Sequence, residues 1–232
     1  MKVEGKQRKT RKADNMQVKK NWMDTETAGS LDNPIVYNIN VHTYGTDEQV
    51  NALIDETFFD HDLMDTAYYA DKRPQYIDDL WESKIFADSF WNMRKKVLAM
   101  ISNDPHVKTQ FFAHNAAFDV RALNNTCRVL SNGKVKYFFP YGTEICDTLK
   151  MARQVVAKMP TYIKFCEENG YMTKHAKPRV RLTAEILYRF ITKDDDFQEA
   201  HRAAEDVAIE EKIYDYIMKQ HKKCDKVLYP AK

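Results

Sequence analysis

With 232 residues, 44% hydrophobic and 30% charged, the chain is expected to form one domain with additions around a real core, which excludes global disorder. Its longest unbroken apolar run, Val97 to Ile101, falls far short of the ~18 residues of a membrane span. The basic residues 1–20 lead into no apolar stretch, so no secretory signal is expected and a cytoplasmic, membrane-free protein is.

The net charge of +2 hides an asymmetry: +6 over residues 1–20, −12 over 21–88 and +8 over 89–232. Such a division suits a polyanionic partner for the basic parts, or merely solvated faces.

In chain order, residues 1–15 are polar and carry Lys6, Arg8, Lys9, Arg11 and Lys12, which predicts a flexible basic arm. A domain is expected over 16–222 and a tail over 223–232. Val18 to Glu26 reads as a short strand. Ile35, Tyr37, Ile39 and Val41 alternate with their neighbours, the period of a second strand, and Gly29 with Asp32-Asn33-Pro34 supplies the turn of a hairpin. The acidic stretch 46–88 predicts a strand near Ile54 to Phe59 and then an irregular excursion over about 60–85. Phe86, Phe90, Met93, Val97 and Ile101 recur at helical spacing.

A compact strand follows at Val107–Ala113 and a helix at Ala116–Leu130. Lys134–Phe139 and Glu144–Cys146 read as extended. Helices are expected at Thr148–Lys158, Tyr162–Asn169, Thr183–Ile191 and Ala200–His221. A hairpin followed by alternating strands and helices predicts an α/β sandwich on a mixed sheet. Cys127, Cys146, Cys166 and Cys224 lie far apart with no CxxC pair, which disfavours a zinc site and suits reduced, structural thiols.

Three clusters can carry chemistry, and each ends in a carboxylate. In Asp24-Thr25-Glu26-Thr27, residues two apart on a strand share a face, so Asp24 and Glu26 project together; a bound divalent cation is the usual compensation for such repulsion. In Phe111 to Asp119, an apolar strand runs through His114-Asn115 into a helix that opens with Asp119 near the sheet's C-terminal edge. Helix-start chemistry accounts for Asn115 and Asp119 equally well, but not for His114. In His201 to Asp206, five residues advance about 500° around a helix, so the two share a site only if His201 lies in the preceding loop or first turn.

Jointly these clusters resemble the motifs of the DEDDh branch of 3′–5′ exonucleases, which includes replicative proofreading subunits, ribonuclease T and oligoribonuclease. D-T-E-T at 24–27, H-N-A-x-F-D at 114–119 and H-x-A-x-x-D at 201–206 stand in the family's order, and Asp147-Thr148-Leu149 resembles its D-T-L helix opening. The sister branch has tyrosine four residues before the last aspartate. Arg202 stands there in this chain, with His201 one place earlier, which is the histidine version.

The resemblance implies a ribonuclease-H-like three-layer α/β/α sandwich with a mixed five-stranded sheet. It implies that Asp24, Glu26, Asp119 and Asp206 hold two Mg²⁺ or Mn²⁺ ions roughly 3.5–4 Å apart, with His201 as general base. It also implies that the backbone at Thr27 and Ala28 meets the terminal nucleotide and that His114 and Asn115 lie near substrate. Phe118 is expected beneath Asp119, and Asp147 in a supporting role.

The implied activity is removal of nucleotides from the 3′ end of DNA, free-standing or proofreading beside a polymerase. RNA trimming and a non-catalytic nucleic-acid or polymerase-binding module are the alternatives. Lys174, His175, Lys177, Arg179 and Arg181 form a basic run that could neutralise strand phosphates or be an ordinary solvated loop. The strand before Asp24 is more polar, and the 46–88 stretch longer, than in compact members of the branch.

Overall fold

The computed structural model describes residues 16–230, so the basic arm expected at 1–15 lies outside the described residues. β1 (Gln17–Ser30) and β2 (Asn33–Thr43) form the hairpin and pair from Asn21↔Thr43 to Ser30↔Asn33. Gly29 enters the turn at φ +84, and a Cβ there would meet the Asn33 carbonyl oxygen at 2.9 Å, so a side chain is excluded on two counts.

β3 (Gln49–Ile54) extends the sheet antiparallel to β2. The chain then turns helical through α1 (Asp55–Phe58), α2 (His61–Met64) and α3 (Arg73–Trp81). The strand expected at 54–59 therefore ends where it was expected to begin. Phe58 is turned inward onto Tyr37, Leu53 and Tyr76, which an extended chain continuing past Ile54 would not bring about.

β4 (Phe86–Asp88) pairs parallel with β3, and α4 (Phe90–Ala99) follows after Ser89, whose Oγ accepts from the Asn92 N–H as an N-cap. Phe86 thus belongs to a strand rather than to the helix whose spacing it matches. β5 (Val107–Ala113) and α5 (Ala116–Leu130) occupy the spans read from the sequence. Residues 134–139 form no strand. Their backbone finds side chains instead, with Asn124 Oδ1 accepting from Phe138 N–H at 2.8 Å and Arg94 donating to the Phe138 carbonyl at 2.8 Å.

β6 (Glu144–Asp147) leads into α6 (Thr148–Gln154), a 3₁₀ turn at Val156–Lys158, α7 (Pro160–Glu168), α8 (Ala184–Thr192) and α9 (Ala203–Lys219). The expected tail supplies β7 (Val227–Pro230), antiparallel to β6. The sheet is seven-stranded in the order β4-β3-β2-β1-β5-β6-β7, not five-stranded. The two extra strands are short edge pieces, too brief to carry a visible alternation.

Alternate residues of the central strands feed two cores. Met23, Ile39, Val41, Phe111 and Ile145 pack under α4 and α5. Trp22, Phe112 and Cys146 pack under α6 to α9. A third cluster of Ala28, Tyr37, Leu53, Phe58 and Tyr76 lies under α1 to α3. Among the described residues no helix is long and apolar enough to cross a membrane.

Candidate functional site

β1 borders β5 in parallel only from Gln17 to Trp22, opposite Val107 to Phe112. Past that point β5 ends and turns through Asn115, at φ +69, into α5. The next stretch of β1 is left with a strand partner on one side only, and Asp24 and Glu26 stand in that gap. Across the hairpin they face Asn40 and Asn38, so this face carries buried polar side chains where an apolar layer would otherwise continue. α9 crosses the same face of β1 and β2 and delivers Asp206 from its first turn.

Carboxylate oxygens of Asp24, Glu26 and Asp206 all lie within 4.8 Å of one another. Glu199, His201 and Asp206 form a second group within the same limit, so Asp206 is common to both. Asp119 is not part of the three-carboxylate group. It sits in the first turn of α5, buried, with its Oδ1 accepting from Thr25 Oγ1 at 2.8 Å. Thr25 alternates with Asp24 and Glu26 and so meets α5 instead of α9.

Burial sets the electrostatics. It raises the carboxyls of Glu26 to about 8, Asp206 to about 9, and Asp119 and Glu199 each to about 7. Asp24 is pushed up by burial first and then by the charges of Asp119, Glu26 and Asp206. Glu210, one turn beyond Asp206 on α9, is also raised by burial; its Oε1 accepts from the His114 N–H at 2.6 Å. Asp206 Oδ1 and Glu210 Oε2 are buried without a hydrogen-bond partner. Burial lowers His201, which favours its neutral imidazole.

The remaining expected residues take varied positions. His114 bonds through Nδ1 to Thr148 Oγ1 at 2.9 Å and through Nε2 to the Leu182 carbonyl at 2.7 Å, tying the α5 entry to the segment before α8. The Asn115 side chain makes no cap; its backbone N–H donates to Asp147 Oδ1 at 3.1 Å. Asp147 Oδ1 also accepts from Leu149 N–H at 2.8 Å, so this residue braces the α5 and α6 entries together.

Phe118 is half-buried with the Arg121 guanidinium 5.5 Å from its ring centre, and it joins no core beneath Asp119. Residues three apart share a helix side, and here that side is the partly open one. Thr27 follows a register shift in β1, and the Ala28 side chain is buried in the third cluster.

Glu199, Glu210 and Tyr69 escaped the sequence reading, and Thr25 entered it only as a member of the D-T-E-T motif, without a role. Glu210 was signalled by its i+4 spacing from Asp206. Glu199 and Tyr69 lie in irregular chain, where no spacing points to them. Tyr69 stacks on His201 with ring centres 4.0 Å apart at 14°.

A cleft of about 1250 Å³ leads away from this centre. Its lining includes the acidic Asp24, Glu199 and Glu210 and the basic Arg153, His175, Arg179 and Arg181. Three of these residues, His175, Arg179 and Arg181, come from the basic run, which is folded back by the Met172↔Val180 bridge and by the Thr173 N–H donating to the Arg179 carbonyl at 2.8 Å.

None of the protein-family models compared with the chain matches it, and neither does any curated protein sequence. Among solved structures it is similar to the Neurospora crassa Pan2 catalytic unit (protease and nuclease domain), with a TM-score of 0.46 and 14% identity. The alignment covers 93% of this chain and 31% of the other, so the chain spans less than a third of that neighbour's length.

Proposed function

We propose that this chain is a ribonuclease-H-like nuclease of the DEDDh type, removing nucleotides from the 3′ end of a nucleic-acid strand, DNA first, with the help of divalent cations. One observation carries the reading. Asp24 and Glu26 on a strand and Asp206 on a helix far along the chain bring carboxylate oxygens within 4.8 Å of one another, with Glu26 and Asp206 buried and Asp24 half-buried.

The site fits a hard cation. Its donors are carboxylates, the ligands that Mg²⁺ and Mn²⁺ prefer. Two buried carboxylate oxygens, Asp206 Oδ1 and Glu210 Oε2, have no hydrogen-bond partner, and burial disfavours the charged form of Asp24, Glu26 and Asp206, a cost that an arriving positive charge would offset. Asp24, Glu26 and Asp206 would hold the first ion, with Asp119 beside them available for a second. Bound there, such ions supply acidification of an attacking water and neutralisation of charge on the phosphate.

The chain's own groups do the rest. His201 shares the 4.8 Å group with Asp206 and Glu199 and would take the proton of the attacking water. Thr25 holds Asp119 in one orientation through its hydroxyl. Arg153, Arg179 and Arg181 along the cleft would neutralise the phosphates of the strand 5′ to the scissile bond. His114 and Asp147 fix the α5 entry on which Asp119 stands.

The test is digestion of matched 5′-labelled DNA and RNA oligonucleotides, single- and double-stranded, with Mn²⁺ or with EDTA. A ladder shortening from the 3′ end in Mn²⁺ alone is expected, with DNA cut faster than RNA. Asp119→Ala and His201→Ala should each slow it by orders of magnitude while leaving the circular dichroism unchanged. Full activity in either variant removes that residue from its role, and no ladder on any substrate removes the nuclease reading.

A further inference from the structure

His201 and Arg202 immediately precede α9, and both are gripped by the acidic excursion between β3 and β4. His201 has φ +53, a left-handed conformation that is strained for a non-glycine residue, so surrounding contacts must impose it. The Tyr69 ring lies flat on the imidazole, at 4.0 Å and 14°.

The neighbouring Arg202 guanidinium is ion-paired to Asp79 on α3 and stands 5.5 Å from the Tyr76 ring centre. Asp79 and Tyr76 are both buried. The Tyr76 hydroxyl donates to Asn38 Oδ1 at 3.2 Å, and Asn38 faces Glu26 across the hairpin. The Thr66 hydroxyl accepts from the Gly29 N–H at 2.8 Å, which pins the same excursion to the end of β1. The segment is therefore anchored on the sheet beside the carboxylates and holds two consecutive residues of the loop carrying the imidazole.

We propose that Asp79 and Tyr69 are positioning residues. Asp79 fixes the backbone of residues 201–202 through Arg202, and Tyr69 fixes the plane of the imidazole, so that His201 faces Asp206 and Glu199. The function assigned to the excursion is to set the geometry of that loop. Its relevance to catalysis rests on the nuclease reading; the positioning itself does not.

The placement can be read without activity. Carbon-13 histidine labelling of the full chain gives signals from seven histidines, and the one missing in His201→Ala belongs to His201. Stacking under Tyr69 should shift its ring protons upfield, and Tyr69→Leu should abolish that shift. Asp79→Asn should move the same signals toward their solvent-exposed values while the other histidines stay in place.

Asp79→Ala leaves the half-buried Arg202 guanidinium without this partner and opens a gap at a buried position, which risks unfolding; Asn keeps the shape, and Tyr69 is only half-buried. A His201 signal indifferent to Asp79→Asn overturns Asp79's role, and one indifferent to Tyr69→Leu overturns Tyr69's.

Hydrolysis supplies a second arm. Asp79→Asn should lower kcat by on the order of 10- to 100-fold with little change in KM, and should add less than about twofold in a His201→Ala background. Equal losses in both backgrounds would mean a general structural role and overturn the proposal. A wild-type chain without nuclease activity but with the expected shifts would overturn the nuclease reading while leaving the positioning intact.

Discussion

The two faces of the central sheet are written by alternate residues of the same strands, yet they obey opposite rules. On the α4–α5 face, Met23, Ile39, Val41, Phe111 and Ala113 are fully buried and apolar. On the other, the neighbours of Met23 and Ile39 are Asp24, Asn38 and Asn40, with Glu26 one pleat further on. There the layer under α9 changes from Trp22 and Phe112 to polar groups within one step of the strand. The first face supplies stability by removing apolar area from water. The second stores repulsion, since each carboxyl is driven upward by burial and by its neighbours. A protein this size can carry such a face only because the first one is intact, and that division can be tested by breaking each face separately.

The largest expected effect is on the apolar face. Phe111 is fully buried, with its ring centre 4.7 Å from that of Phe139. Phe111→Ala should cost about 3–5 kcal/mol in urea unfolding, a large part of the roughly 5–15 kcal/mol that holds a domain together. A loss under about 1 kcal/mol would mean that this face is not the stabilising one.

Next in size is cation binding on the polar face. Millimolar Mn²⁺ or Mg²⁺ should raise the melting temperature, by the equivalent of about 2.7 kcal/mol where the ion is at 100 times its Kd. Asp24→Asn should remove most of that rise. A melting temperature indifferent to the ions would leave the carboxylate group without its proposed ligand.

The pH dependence in EDTA follows from the same burial and, after it, the same repulsion. Glu26 at about 8 and Asp206 at about 9 bind protons in the folded chain that an unfolded chain releases near 4.5 and 3.8. A raised carboxyl adds stability that is complete below the unfolded value and is lost as pH rises through the folded one. Metal-free stability should therefore decline between about pH 4 and pH 9, and Asp206→Asn should flatten the decline. A metal-free protein that gains stability over that range would contradict the burial of these groups.

The contrast between the faces also explains what the sequence disclosed. Val107–Ala113 and Ala116–Leu130 were legible because both lie in the middle of the sheet and its helical layer, where period and burial coincide. β4 and β7 were not, since an edge strand of three or four residues pairs on one side and needs no alternation. Phe86 fitted a helical spacing only by chance. In the site, Asp24, Glu26 and Asp206 were legible as local motifs, because strand geometry and a helix start fix each one's direction. Tyr69 and the Asp79–Arg202 pair were not, because their roles depend on where the run of short helices and turns between β3 and β4 comes to rest, which no local pattern encodes.

Thr25 gives the smallest and sharpest test, since it is the point where the two faces touch. Its side chain leaves β1 on the apolar side, yet its hydroxyl donates to Asp119, whose carboxyl burial raises to about 7 and this hydrogen bond lowers. Thr25→Val keeps the shape and removes the donor. Near pH 5 Asp119 is protonated in the folded chain, so the variant should lie within about 1 kcal/mol of wild type. Above pH 8 the carboxylate is ionised and loses a charge-assisted bond, worth about 1.5–3 kcal/mol. The gap in metal-free stability between the two proteins should therefore open as pH rises through about 7. A gap that stays constant with pH would mean that Thr25 packs against α5 without governing Asp119, and that the two faces are energetically separate after all.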